Sequence, residues 1–270
     1  MTRIAFLLLA ALISGCAGSK PQRAWDAASI ANLPHPYVVY KDKPDGKIIA
    51  GFHTDDIKNI INIKERMESA AGPLRTELII LEGDQPNGFS FTYHNVSKIG
   101  ITIGMIKLTE GDADAMAALL GHELAHLYLD HGKARRDREE NRIVTSTILS
   151  FALAMVGVPI PVTATDVATA TVTKTFSRDE EREADQVGVA YMVQAGFDPR
   201  GAVRLQEKLA AFSPDYTMVP FLSTHPATSE RIENMKRLVK NMPPSVAPAG
   251  AVKPAVPPDS SPAPGESANP

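Results

Sequence analysis

The chain is predicted to fold as a mostly helical α+β domain with a small β-sheet. Three observations carry this. Apolar residues recur at helical spacing around 57–67, 112–131 and 181–195. Short runs at 78–81, 89–93 and 99–105 have the continuous or alternating apolar pattern of strands. Turn-forming Gly, Pro, Asp and Ser punctuate the intervals. With 270 residues, 44% of them hydrophobic and 22% charged, the chain can bury one sizeable core, so one domain with tails is the economical count. A formal charge of −3, with no basic stripe interleaved with aromatics, speaks against nucleic acid as a partner.

Residues 1–15 read as an export signal: Met1-Thr2-Arg3, then the apolar run from Ile4 to Ile13, too short to remain as a spanning helix, then small residues. Ile13-Ser14-Gly15-Cys16 resembles a bacterial lipobox, in which the cysteine is lipidated and becomes the first residue. Cys16 is the only cysteine, so no internal disulfide is expected. In lipoproteins an Asp directly after the cysteine favours inner-membrane retention; with Ala17 in that place the resemblance implies the outer membrane, given a two-membraned bacterium. Residues 16–32 are then the lipidated N-terminus and linker, and 33–242 the folded domain. The segment 243–270 holds nine of the 21 prolines, no aromatic residue and three charged ones; it reads as a disordered tail or, alternatively, a Pro-rich docking ligand.

Within the domain, Pro34, Pro36 and Pro44 with Asp45-Gly46 predict an extended, turn-rich start. Asp55 or Asp56 is expected to cap a helix carrying Ile57, Ile60, Ile61, Ile63 and Met67, stopped by Gly72-Pro73. Leu78–Leu81 is a buried strand, 83–88 a turn and Phe89–Tyr93 a half-buried strand. Ile99–Met105 alternates too, either as an edge strand that could pair with an extended peptide or as an interior strand. The residues from Thr109 to Asp114 supply caps for a helix running to about His131. The charge-dense 133–142 reads as a solvated face or loop. Residues 143–165 carry no charge, which invites a membrane span, but their Thr, Ser and Ala content and the interruptions at Pro159 and Pro161 favour the soluble reading, as a membrane-facing or cleft-lining hairpin.

Chemistry concentrates in His122-Glu123-Leu124-Ala125-His126. On a helix, residues four apart share a face, so His122 and His126 can close on one zinc ion while Glu123 stands beside it as a base for an activated water. Two histidines leave such a site one protein ligand short, the candidates being carboxylates and the other histidines. Ser177-Arg178-Asp179-Glu180 is a capping box opening a helix to about Ala195, closed by Gly196. Along it Glu181, Ala184, Asp185, Gly188, Met192 and Ala195 share one side. Glu181 thus points into an apolar face, where a metal would satisfy it, and Asp185 one turn later can accept a hydrogen bond from a ligand histidine. Glu180 and Glu183 lie off that face and suit dipole compensation. His131, five residues after His126, falls on a different side of the helix and is structural. His35, His53 and His94 lie in unpromising contexts.

These motifs, with Glu181-x-x-Ala184-Asp185 after the paired histidines, resemble the HtpX-type zinc endopeptidases. That family also includes the prenyl-protein (CAAX) proteases, the mitochondrial Oma proteases and the periplasmic BepA-like and LoiP-like proteins. The similarity spans about 55–240. It implies a gluzincin fold, one zinc per chain on His122, His126 and Glu181, and Glu123 as catalytic base. Leu222-Ser223-Thr224-His225-Pro226 with Arg231 is similar to a late motif of the soluble members, in which the histidine approaches the zinc and the arginine helps hold oxyanion charge. Unaided, His225 reads as a loop histidine ahead of a Pro-started helix. Asn87-Gly88-Phe89 departs from the usual Asn-Ala-Phe. Long membrane-spanning pairs and trailing helical repeats are not found, and with the lipoprotein start the LoiP-like branch is nearest. The expectation is a lipid-anchored periplasmic zinc endopeptidase acting on misfolded or stalled envelope proteins. The rival is a holdase or assembly factor for which cutting is secondary; metal storage fits poorly because such sites favour thiolates.

Overall fold

The element on which the others are assembled is the helix bearing the paired histidines. In the computed structural model, which describes residues 23–41, 48–135, 137, 176–212, 221–222, 225, 229–240 and 242, it is α4 (Ala113–Tyr128). Every residue from Ala115 to His126 is buried, as an all-round apolar helix requires. Preceding it are β1 (Ala24–Asp26), α1 (Ala27–Ala31), β2 (Tyr37–Lys41), β3 (Ile48–His53), α2 (Thr54–Ala71), β4 (Thr76–Leu81), β5 (Gly88–Tyr93), β6 (Val96–Thr102) and α3 (Ile103–Leu108). Following it are α5 (Arg178–Gln194), α6 (Gly201–Phe212) and α7 (Ser229–Lys240). α4 packs on α2, α5, α6 and β5, so it is a central rod inside a helical shell with the sheet along one side.

The main sheet has the order β1-β4-β6-β5, with β4 and β6 parallel and the outer pairs antiparallel; β2 and β3 form a separate hairpin. Leu78 and Ile80 of β4 and Ile99 and Ile101 of β6 are buried at alternate positions, the period a one-sided core demands. α2 is anchored to the sheet by a buried cluster: Glu68 Oε1 accepts from Lys64 Nζ (2.8 Å), Thr76 N (2.7 Å) and Thr76 Oγ1 (2.7 Å).

Several expectations are corrected. Residues 24–31, taken as linker, belong to the fold. Trp25, Ala27 and Ile30 are buried, Trp25 pairs opposite Ile80 and meets Phe52 edge-on at 5.5 Å. Elements of three and five residues are too short to leave a periodic signal. The first long helix begins after His53, with no side-chain cap, and Asp55 and Asp56 serve its first turn instead. The third strand stops at Thr102, whose Oγ1 accepts from Met105 N at 3.2 Å and so starts α3 where the strand was expected to continue. β6 is also interior, between β4 and β5, so the edge-strand option falls to β5. α4 ends at Tyr128, not His131: Asp130 takes φ 54°, a left-handed conformation that Asp tolerates and a helix cannot continue through.

The capping box at Ser177 is formed. α5 closes with Gly196 at φ 76° and Phe197 N–H donating to Met192 O at 2.8 Å. No helix among the described residues is long and apolar enough to cross a membrane. The signal, Cys16, 143–165 and the tail 243–270 lie outside the described residues.

Candidate metal centre

Two helix starts and one close crossing set the geometry. α4 is begun by Asp112, whose side chain accepts from Ala115 N at 3.1 Å and pairs with Arg204 at 2.9 and 2.8 Å; the Arg204 bonds hold its carboxyl down to about 2. α5 is begun by the Ser177–Glu180 box, which puts Glu181 in the first turn facing α4. The two helices meet at Gly121 and Gly188, where an added Cβ on either would lie 2.9 Å from the other's backbone. This lets Glu181 reach the histidines.

His122 Nε2 and His126 Nε2 stand 3.0 Å apart. Glu181 Oε1 is 3.3 Å from His126 Nε2, and its Oε2 is 3.5 Å from His122 Nε2. His225 Nδ1 lies 3.1 Å from His122 Nε2 and 2.8 Å from Glu181 Oε1. The four residues are buried and can each offer one donor atom, all within 4.8 Å of one another. Donors placed tetrahedrally about zinc at its usual bond lengths stand about 3.3 Å apart, so the spacing suits that ion. Charge agrees: among the described residues the buried carboxylates of Glu123, Glu181 and Asp185 are accompanied by one buried guanidinium, that of Arg231, and a divalent cation would supply the missing positive charge.

Around these atoms lies a bracing layer. His122 Nδ1 is 3.1 Å from Asp185 Oδ1. Arg231 Nε and Nη2 each donate to Asp185 at 2.7 Å, while its Nη1 pairs with Glu181 Oε2 at 2.5 Å and donates to His225 O at 3.4 Å. Burial resists charge on His122, but the Glu181 and Asp185 carboxylates outweigh it and lift its pKa above the ordinary value. Burial, then the adjacent His122, holds His126 down to about 2. Burial would favour protonated Glu181 and Asp185. His225, His122 and Arg231 hold Glu181 well below the usual range, and Arg231 with His122 does the same for Asp185.

Residues 55–239 match the model of Peptidase family M48. The chain belongs to peptidase family M48. Among relatives of this M48 chain, the mitochondrial metalloendopeptidase OMA1 of Schizosaccharomyces pombe is 31% identical over 171 residues, 62% of this chain and 48% of that protein. The beta-barrel assembly-enhancing protease of Yersinia pestis is 26% identical over 196 residues, 68% of this chain and 39% of that protein. The counterpart in Escherichia coli K12 is 25% identical over 191 residues, 67% of this chain and 38% of that protein. The chain thus spans less than half the length of these relatives. M48 metalloproteases use zinc, and the buried donor set of this M48 chain fits it.

The structure brings together His122, Glu123, His126, Glu181, Asp185, His225 and Arg231; Glu183 stays exposed, and Cys16 is not among the described residues. Sequence reasoning missed three neighbours. Phe176 stacks on His126 with ring centroids 3.9 Å apart, and Phe176 and Phe221 flank the His225 ring at 5.1 and 4.6 Å. His131, placed on another helix side, has its Nδ1 3.0 Å from His126 Nδ1. The break falls at Asp130, and a helical stretch resumes over 131–135, so the sequence offers only the turn-tolerant Asp130 as a signal against running α4 through it.

Proposed function

We propose that this M48 chain is a zinc metalloendopeptidase, lipid-anchored through Cys16 on the periplasmic side of a bacterial outer membrane, that hydrolyses peptide bonds of misfolded or stalled envelope proteins. The observation that carries the hydrolytic part is Glu123. Its carboxylate is wholly buried, and among the described residues neither oxygen has a hydrogen-bond partner; His225 Nε2 stands 3.5 Å away. A purely structural zinc site has no use for an uncompensated acid at its side. Zinc, when bound, would supply Lewis-acid charge to a peptide carbonyl and to water. Glu123 would take a proton from the attacking water on its carboxylate and pass it to the leaving amine.

His122, His126 and Glu181 would hold the ion, and Asp185 would fix the His122 tautomer. Arg231 has its guanidinium nitrogens turned to Asp185, Glu181 and the His225 carbonyl, which supports a bracing role in the resting state over the oxyanion role the resemblance implied. His225, 1% exposed and set between two phenylalanine rings, takes the fourth corner of the donor set. This supports a latent resting enzyme in which substrate displaces His225. β5, an edge of the sheet packed beside α4, offers an extended peptide backbone hydrogen bonds there. Support for the envelope setting comes from the lipobox-like start and from relatives named as beta-barrel assembly-enhancing proteases.

The test uses the purified full chain on unfolded casein. Glu123→Gln should retain zinc yet lose about 10²- to 10⁴-fold in cleavage rate, and a chelator should abolish wild-type cleavage. Undiminished cleavage by the zinc-loaded variant would remove Glu123 as the base, and full rescue of a deletion strain by it would make chain-holding the function. His225→Ala should raise basal proteolysis; equal or lower activity with zinc retained would remove latency.

A further inference from the structure

We infer that His131, backed by Glu183, is a positioning residue that selects the metal-binding tautomer of His126. The inference rests on the zinc assignment above and extends it to a residue outside the ligand motif.

An imidazole that offers Nε2 to a metal carries its proton on Nδ1, and that N–H needs an acceptor when buried. For His122 the acceptor is Asp185. For His126 the atom facing Nδ1 is His131 Nδ1, at 3.0 Å, with the rings 5.0 Å apart and inclined at 71°. Two like nitrogens at hydrogen-bond distance can share only one proton, so the pair has two arrangements. If His131 Nδ1 held the proton, His126 would carry its own on Nε2, aimed at His122 and Glu181 where it would block the ion. If His126 Nδ1 holds it, His131 accepts, and its own N–H must be Nε2. That atom lies 3.5 Å from Glu183 Oε2, a carboxylate that welcomes a donor and rejects a lone pair. Glu183 therefore biases the pair toward the arrangement that frees His126 Nε2.

The surroundings make the bond count. His131 is 5% exposed although it lies beyond the end of α4, and Phe176 stacks on His126 and stands 6.4 Å from the His131 ring. With little water to compete, the proton-sharing contact is worth more than on the surface. The left-handed turn at Asp130 is what folds His131 back over His126.

The test is the zinc dissociation constant of the full-length protein, measured by competition with a chromophoric chelator, for wild type, His131→Asn and His131→Gln. Asparagine sets its amide oxygen near the Nδ1 position, and glutamine sets it near Nε2. Both are polar and of similar size. His131→Asn should bind zinc within about threefold of wild type, whereas His131→Gln should bind about 10- to 100-fold more weakly, the usual price of losing a partner behind a ligand histidine. Glu183→Ala, at an exposed side chain, should weaken binding only a few-fold. Equal affinity of the Asn and Gln variants, whether both tight or both weak, overturns the tautomer role. A wild-type protein that binds no zinc would instead overturn the metal assignment itself, a distinct result.

Discussion

Replacing Gly188 by alanine tests whether the closeness of α4 and α5 is what assembles the centre. The added methyl would sit 2.9 Å from the Gly121 carbonyl carbon and 2.9 Å from the backbone nitrogen of His122 itself. Ordinary carbon contacts stand at about 3.5–4.0 Å, so the helices must part by roughly 0.6–1 Å. Both obstacles are backbone atoms, which cannot swing aside. Overpacking of this kind costs about 1–3 kcal/mol, offset by about 1 kcal/mol from the better helix propensity of alanine. The net loss of stability in the metal-free protein is therefore small, about 0–2 kcal/mol. The larger effect falls on the site. Glu181 Oε1, now 3.3 Å from His126 Nε2, would move with α5, and a misplacement of about 1 Å costs about 10²-fold in catalysis. The assay pairs urea unfolding of the chelator-treated protein with the zinc dissociation constant and the casein cleavage rate. Near-native unfolding with zinc affinity at least tenfold weaker is expected, roughly 1.4 kcal/mol by the usual conversion. Zinc affinity and cleavage equal to wild type would refute the claim that this crossing sets the ligand spacing.

Asp112→Asn removes the charge that Arg204 grips; because Arg204 holds the Asp112 carboxyl down to about 2 from an ordinary 3.8, its contribution is present above the ordinary value and lost as pH falls through about 2. After allowance for solvent screening this amounts to about 1 kcal/mol, so the gap between wild type and variant in urea unfolding should be constant from neutral pH to about 5 and close below about 4. A gap that widens on acidification would contradict the pairing. Glu68→Ala leaves the buried Lys64 ammonium and the Thr76 donors without their shared acceptor and should cost about 3–5 kcal/mol. A loss under 1 kcal/mol in the same assay would show that α2 and β4 do not depend on that cluster.

Long elements and strong local chemistry are legible in the sequence. Ser177 and Glu180 announce the start of α5, Gly196 its end, and the three-and-four spacing of Glu181, Ala184, Asp185 and Gly188 its inward face, because helix periodicity and capping are properties of the local chain. What escaped depended on partners distant in sequence. Trp25 is buried only because Ile80 and Phe52 are there to receive it. The interior place of β6 follows from β4 pairing with it in parallel, a pairing that alternation within Ile99–Met105 cannot specify. The seat of His131 was lost for a geometric reason: a helical wheel extends smoothly through Asp130, and the chain does not.

The first described strand starts at Ala24, which bounds the reach of an anchor at Cys16. Between Cys16 and that residue lie seven residues, which fully stretched reach only about 25 Å. If Cys16 is lipidated as proposed, the domain could stand no farther than that from the lipid headgroups, and substrates lingering at the bilayer face would be met before those diffusing in bulk fluid.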